Sequence, residues 1–192
     1  EQELALRRAM EDRFGEQRAL GNLGNTHLNL KHYEQAIAYG ERQLALARRI
    51  GAEVGERYAL LLLGSASLAM GRLDAAQRLL QEGVELSAAA GDTAQLAVQL
   101  VHLGTVLMHK GDLVQAETHL NRALAAARSL HIKPVEVECL LRLAELWRLR
   151  GDSGRALGCT AQARTIARDA GIHSLLGRAE EHHAALLAAE GR

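Results

Sequence analysis

The histidines are the residues whose chemistry first suggests a reactive site, and the sequence contains nine of them. His102 and His109 lie one heptad apart, and the segment EEHHA at positions 180–184 places two more beside two glutamates. A metal site needs three or four converging ligands, and no HExxH, Walker or GxGxxG pattern is present to organise them. We therefore predict no catalytic residue, no metal and no cofactor, and a histidine-based metalloenzyme is the least favoured hypothesis.

Three asparagines form the second group of candidate residues. Asn22, Asn25 and Asn29 have a helical spacing that places all three along one face. Asparagine is a mediocre helix former, because its side chain competes for backbone hydrogen bonds. A side-chain amide carries donors and an acceptor, so a row of amides can hold the backbone of an extended peptide. The alternative is that these asparagines are simply solvated.

The composition indicates an all-α protein with enough apolar material for the core of one domain. Hydrophobic residues make up 48% of the 192 residues, aromatic residues only 3%, and there is a single proline. Good helix formers dominate, whereas the strand formers Val and Ile are sparse. Cys139 and Cys159 belong to no CxxC pair, so we expect reduced thiols.

Charge and hydropathy disfavour two classes of partner. Lys+Arg and Asp+Glu both total 23, so the zero formal charge gives no general attraction to nucleic acid or to an acidic membrane. The longest apolar run, near Leu60, is too short to cross a bilayer, and the N-terminus does not resemble a signal peptide. We expect a cytoplasmic protein. The excess of arginine over lysine suggests a GC-rich, bacterial genome.

An internal repeat of 40 residues organises the chain. Shifting the sequence by 40 superposes Leu20, Leu60, Leu100 and Leu140, the alanines Ala36, Ala76, Ala116 and Ala156, and the glycines Gly24, Gly64 and Gly104. Each unit should form two amphipathic helices, over 56–70 and 73–90 in the second unit. The small residues should lie where two helices approach closely. Glycines end the helices by tolerating left-handed dihedrals, and Lys31 and His131 replace them at two turns.

The segments LLLLGSAS and LVHLGTVLM, each followed by the repeated alanine, resemble the tetratricopeptide repeat, and Trp147 stands at its aromatic position. The 40-residue length is similar to that of the LGN/Pins scaffolds and of bacterial tetratricopeptide signalling proteins. The resemblance implies a right-handed superhelical solenoid of antiparallel helix pairs, forming a single domain over 1–192. Four repeats at about 13–52, 53–92, 93–132 and 133–172, flanked by half repeats 1–12 and 173–192, look like a fragment of a longer protein.

In such a solenoid the first helix of each repeat lines a concave groove, and the family pattern places groove positions on this sequence. The implied groove residues are Arg18, Asn22, Asn25, Asn29, Tyr58, Leu62, Ser65, Val98, His102, Thr105, His109, Arg142, Glu145 and Arg148. The lining changes from amide to apolar to charged, which suits a partner with polar, hydrophobic and charged parts. Val98 and His102 stand where a carboxylate clamp would need cations, so we do not expect such a clamp.

The resemblance implies a protein- or peptide-binding module or scaffold that holds an extended or helical partner segment, and not an enzyme. The alternative is a ligand-responsive sensor array of a bacterial signalling ATPase or transcription regulator. The half repeats are also expected to expose Leu4 at one end and Leu186 and Leu187 at the other, which would allow end-to-end self-association.

Overall fold

Residues 2–189, which are the residues that the computed structural model describes, form helices joined by short turns. The helices in that range are α1 (Gln2–Ala9), α2 (Arg13–Asn29), α3 (Tyr33–Ile50), α4 (Glu53–Ala69), α5 (Leu73–Ala89), α6 (Thr93–His109), α7 (Leu113–Ser129), α8 (Lys133–Leu149), α9 (Ser153–Asp169) and α10 (His173–Ala189). The all-α prediction is confirmed. The first helix of the second repeat begins at Glu53, three residues earlier than predicted, because the turn after α3 needs only Gly51 and Ala52.

The helices form two compact units, residues 1–91 and residues 92–192, which we call the N-terminal and C-terminal units. Their boundary lies one residue before the border between the second and third predicted repeats. The N-terminal unit holds α1–α5 and the C-terminal unit holds α6–α10. Within each unit consecutive helices pack against one another in series, as they do in a helical solenoid.

Left-handed residues separate most of the helices, as the repeat predicts. The glycines at this position, with φ between 65° and 84°, are Gly51, Gly71, Gly91, Gly111, Gly151 and Gly171. Lys31 has a φ of 62° and His131 a φ of 56°, so both adopt the glycine conformation despite carrying a side chain. The repeat therefore fixes the backbone of the turn even where the residue type departs from it.

The core includes the leucines and alanines that recur every 40 residues. The repeated leucines are at most 2% exposed, and the repeated alanines are completely buried. A Cβ added to Gly104 in α6 would lie 3.4 Å from the carbonyl oxygen of Ala116 and 2.8 Å from Leu120 Cγ. The predicted close approach of the two helices is confirmed at this pair, since a larger residue at position 104 would have to displace the side chain of Leu120.

Two of the three leucines that the sequence analysis expected to be exposed at the ends of the chain are buried. Leu4 is 7% exposed and packs with Ala19, Leu20 and Leu46, and Leu186 is 5% exposed. The expected exposure is therefore wrong for both residues, whereas Leu187 is partly exposed. Positions 190–192 of the last half repeat lie outside the described residues. End-to-end association stays a prediction, but the buried Leu4 and Leu186 no longer support it.

An ion pair between arginine and glutamate recurs across three turns, where a second helix gives way to the next first helix. The pairs are Arg8–Glu16 at 2.6 Å, Arg48–Glu56 at 2.7 Å and Arg128–Glu136 at 2.9 Å. The hydrogen bond from Arg8 holds the pKa of Glu16 below its usual range. Burial alone would raise the pKa of Glu136, but the hydrogen bonds from Arg128 and Lys133 outweigh it and leave the pKa lowered.

Candidate functional site

The exposed face of α2 carries the asparagine row. Asn22, Asn25 and Asn29 are all exposed, and Arg18 lies one turn before them. Within residues 2–189 the side chains of these asparagines make no hydrogen bond, whereas the neighbouring Thr26 hydroxyl donates to the backbone carbonyl of Asn22 at 2.8 Å. The three amides lie on one helix and offer free hydrogen-bond donors and acceptors to a partner.

A cleft of about 280 Å³ in the N-terminal unit collects four of the predicted groove residues. Its lining residues are Gln17, Arg18, Gly21, Asn22, Asn25, Gln43, Val54, Gly55 and Tyr58. Four of these nine carry side-chain amides, and none carries a carboxylate. We call this space the amide cleft. Its chemistry is hydrogen bonding to uncharged polar groups, with the Arg18 guanidinium and the Tyr58 ring at exposed positions.

Gln17 and Gln43 are cleft residues that the sequence analysis missed. Gln43 lies on the second helix of its repeat, α3, whereas the family pattern searches only the first helices. It is 4% exposed, and its Nε2 donates to Gln17 Oε1 at 3.4 Å and to the Gly55 carbonyl at 3.5 Å. The repeat alignment holds the signal that could have found it: Gly21 stands where the other repeats have a large residue, and Gln43 stands where they have a small one.

The C-terminal unit has an apolar cleft of about 240 Å³ beside an ion cluster. The lining residues are Val98, Val101, His102, Pro134, Val135, Glu138 and Leu175. Burial, and secondarily the charge of Arg142, lowers the pKa of His102 to about 4 against the opposing effect of Glu138. His102 is therefore uncharged at neutral pH, and this surface suits an apolar side chain.

Glu138 is the centre of the ion cluster. Arg142 Nη2 and Arg178 Nη1 each donate to its carboxylate at 2.8 Å. Burial would raise the pKa of Glu138, but the bonds and charges of the two arginines outweigh it, so that the pKa lies below its usual range. These charges satisfy one another within the C-terminal unit.

A larger cleft of about 490 Å³ brings together the three groove residues predicted in the fourth repeat. Arg142, Glu145 and Arg148 line it with Ala144 and with residues of α10, which are Glu181, His182, Ala185 and Leu186. Arg142 and Glu145 form an ion pair at 3.6 Å. Arg148 is exposed and reaches no acid within residues 2–189, so its charge is open to an anionic group.

Two predicted groove residues are not accessible, and the prediction is wrong for both. Leu62 is 2% exposed, because it packs over Gly24 and beside Ala36 and Ala66 in the core. Thr105 is 7% exposed, and its hydroxyl donates to the Val101 carbonyl at 2.8 Å. The family pattern assigns the same groove positions to every repeat, although a neighbouring helix covers some of them.

The remaining predicted residues differ in exposure. Ser65 and Val98 are partly exposed, and His109 is exposed at the end of α6. His109 lines neither cleft of the C-terminal unit, so the two heptad-spaced histidines do not share a cleft.

Other chemistry is sparse in the described part of the chain. Within residues 2–189, no three His, Cys, Asp or Glu side chains lie close enough together to hold a metal ion. Cys139 and Cys159 are free, and burial raises the pKa of Cys139 to about 12, which keeps it a thiol at neutral pH. None of the described helices combines the length and the apolar character needed to cross a membrane.

Comparison with protein families decides the class. Three models described as tetratricopeptide repeat match residues 19–51, 58–89 and 92–169. The chain is a tetratricopeptide repeat protein. The matches cover parts of all four predicted repeats, while the long-repeat subtype stays a prediction. No curated protein sequence matches this tetratricopeptide repeat protein.

Solved structures share the fold at low sequence identity. BtubC (BKLC) from P. vanneervenii superposes with a TM-score of 0.73 at 15% identity, over 99% of this chain and 89% of that one. Aspartyl phosphate phosphatase F from Bacillus subtilis gives 0.81 at 13% identity, over 91% and 46%. A STAND signal transduction ATPase with a tetratricopeptide repeat sensor, from Pyrococcus horikoshii, gives 0.74 at 16% identity, over 91% and 27%. These similarities show the fold alone, and the chain spans about half of the phosphatase.

Proposed function

We propose that this chain is a protein- or peptide-binding module or scaffold whose partner segment lies along the first helices of the repeats. The asparagine row on α2 carries the proposal, because three exposed amides have no hydrogen bond within residues 2–189. A helix gains nothing from asparagine at these positions, since alanine is the better helix former. Contact with a partner accounts for amides at this spacing.

The two units suggest what the partner segment contains. The amide cleft suits an uncharged polar part of the segment, and the apolar cleft beside His102 suits an aliphatic side chain. Arg148 suits an acidic group. The partner is a protein or peptide in an extended or helical conformation, in the cytoplasm, and the proposal includes no catalytic role, nucleic acid or membrane.

A pull-down from native lysate tests this function. The bait is the intact chain, compared with the triple variant Asn22→Ala, Asn25→Ala, Asn29→Ala, and bound proteins are quantified by mass spectrometry. The matched control replaces three exposed amides of the second helices, Gln35, Gln81 and Asn121, by alanine. We expect the partner to be lost with the first-helix variant and kept with the control. Equal recovery on both variants would contradict the proposed surface.

A small-molecule sensor is the second candidate function. The observation that favours it is the 490 Å³ cleft of the C-terminal unit, which has the volume of a small-ligand site and is lined by charged residues. The STAND ATPase with a tetratricopeptide repeat sensor supplies a precedent for the fold. In this case a small anionic metabolite should raise the melting temperature of the wild type, and Arg148→Ala should abolish the increase.

A further inference from the structure

Gly21 and Gln43 lie against each other in the first repeat, and their sizes are reversed relative to the residues at the same two positions of the other repeats. Where the first repeat has Gly21, the others have the large residues Leu61, Val101 and Leu141. Where the first repeat has Gln43, the others have the small residues Gly83, Ala123 and Ala163. The reversal conserves volume but replaces an aliphatic side chain with an amide.

Two glycines make the room that two glutamine side chains occupy. A Cβ added to Gly21 would lie 2.6 Å from Gln43 Nε2, and a Cβ added to Gly55 would collide with the amide of Gln17. Both amides line the amide cleft, with Gln43 buried and Gln17 partly exposed above it. The pair thus forms a polar floor that exists because positions 21 and 55 lack side chains.

The hydrogen bonding of Gln43 is incomplete. Its Nε2 bonds, at 3.4 Å and 3.5 Å, are long, and its Oε1 is buried with no partner within residues 2–189. A buried acceptor without a donor destabilises the fold, whereas an aliphatic residue would fill the same volume without that cost. The first repeat therefore keeps a destabilising group that its sister repeats avoid, at the floor of an open cleft.

We infer that the amide cleft is a pocket for one side-chain amide, Asn or Gln, of the bound segment; this rests on the proposed function. An amide supplies the donor that Gln43 Oε1 lacks, and its own oxygen accepts from the amides around it. Gln17, which is partly exposed, moves aside to admit it. A cationic side chain fits less well, because the cleft holds no carboxylate to pair with it and its own Arg18 would repel it.

Selection from a displayed library of random peptides tests the pocket with the intact chain. We expect peptides that bind the wild type to be enriched in Asn or Gln at one position, and peptides selected on Gln43→Met to lose this enrichment. Gln81→Met, on the exposed face of α5, is the matched control and should keep the enrichment.

Binding constants sharpen the test. For one selected peptide, replacing its amide residue by Met should weaken binding to the wild type by about tenfold, as expected for one or two net hydrogen bonds. The same replacement should change binding to Gln43→Met by less than about threefold. Peptides without amide enrichment, or equal losses on both proteins, would overturn the pocket while leaving the proposed function intact. Failure to select any peptide would overturn both.

Discussion

The N-terminal and C-terminal units share a backbone plan and differ in how their polar groups are satisfied. In the N-terminal unit the amides of Asn22, Asn25 and Asn29 are exposed and have no hydrogen bond within the described residues. In the C-terminal unit, the carboxylate of Glu138 is held by Arg142 and Arg178. Buried leucines and alanines fix the repeat, which leaves the first-helix surface free to differ between units.

The largest effect on stability should come from the buried alanines of the repeat, which both units share. Ala116 is completely buried where α7 meets α6, so Ala116→Arg places a charge where there is no room. We expect a loss of about 3–5 kcal/mol in the free energy of unfolding of the C-terminal unit. Ala36→Arg should do the same to the N-terminal unit. Chemical denaturation measures both, and the exposed Arg122→Ala serves as the control. An unchanged midpoint for Ala116→Arg would show that the repeat register is wrong.

The second-largest effect should be a pH dependence of stability that distinguishes the C-terminal unit from the N-terminal unit. His102, with a pKa lowered to about 4, is neutral when folded but takes up a proton near its ordinary pKa when unfolded. The C-terminal unit should therefore be at full stability above about pH 6.5 and lose about 1–3 kcal/mol as the pH falls to about 4. Asn22 occupies the equivalent position in the N-terminal unit and does not titrate.

The matched variant is His102→Asn, which should remove this part of the pH dependence. Denaturant unfolding at pH 7 and pH 4.5, in both proteins, measures the difference. An identical fall in stability for wild type and variant would mean that other groups, and not His102, cause it.

The ion cluster around Glu138 should contribute less to the free energy of unfolding. Glu138→Gln removes the charge that holds two arginines, and we expect a loss of about 1–2 kcal/mol at pH 7, because part of the cluster reaches solvent. The lowered pKa of Glu138 means that its contribution is present above about pH 4.3 and is lost as the pH falls through the folded pKa. Arg18→Ala, at the equivalent exposed position of the N-terminal unit, should change stability by less than about 0.5 kcal/mol in a thermal melt.

The smallest effect on stability should come from the left-handed turn residues, which occur in both units. Lys31 and His131 adopt left-handed dihedrals, so Lys31→Gly and His131→Gly should each raise the free energy of unfolding by about 0.5–1 kcal/mol. The reciprocal change Gly71→Lys should lower it by a similar amount. Thermal melts of the three variants measure these shifts, and a loss of stability in Lys31→Gly would argue against strain at this turn.

The sequence predicted the framework well because buried positions obey the repeat. The 40-residue period located the helices, the alanine contacts such as Ala116, and the left-handed turn at Lys31. It also placed Arg18, Asn22 and Tyr58 on the first helices, where the structure gathers them in one cleft. These features depend on local backbone geometry, which recurs from repeat to repeat.

The sequence analysis failed where the site depends on packing between helices. Leu62 shares its register with Asn22 yet is buried, because Gly24 of the preceding repeat leaves room for its side chain. Gln43 was missed because it reaches the amide cleft from a second helix, through the space left by Gly21. Both outcomes depend on a neighbour that lies more than 20 residues away in the chain.

The most direct test of the account is titration calorimetry of the captured partner, or of a selected peptide, against the wild type and the triple variant Asn22→Ala, Asn25→Ala, Asn29→Ala. The account predicts that the variant binds about 30- to 1,000-fold more weakly, equivalent to about 2–4 kcal/mol for three hydrogen bonds. Its melting temperature should hold or rise slightly, since alanine favours the helix. Unchanged affinity would contradict the asparagine row as the binding surface, and a large drop in melting temperature would show that these asparagines are structural.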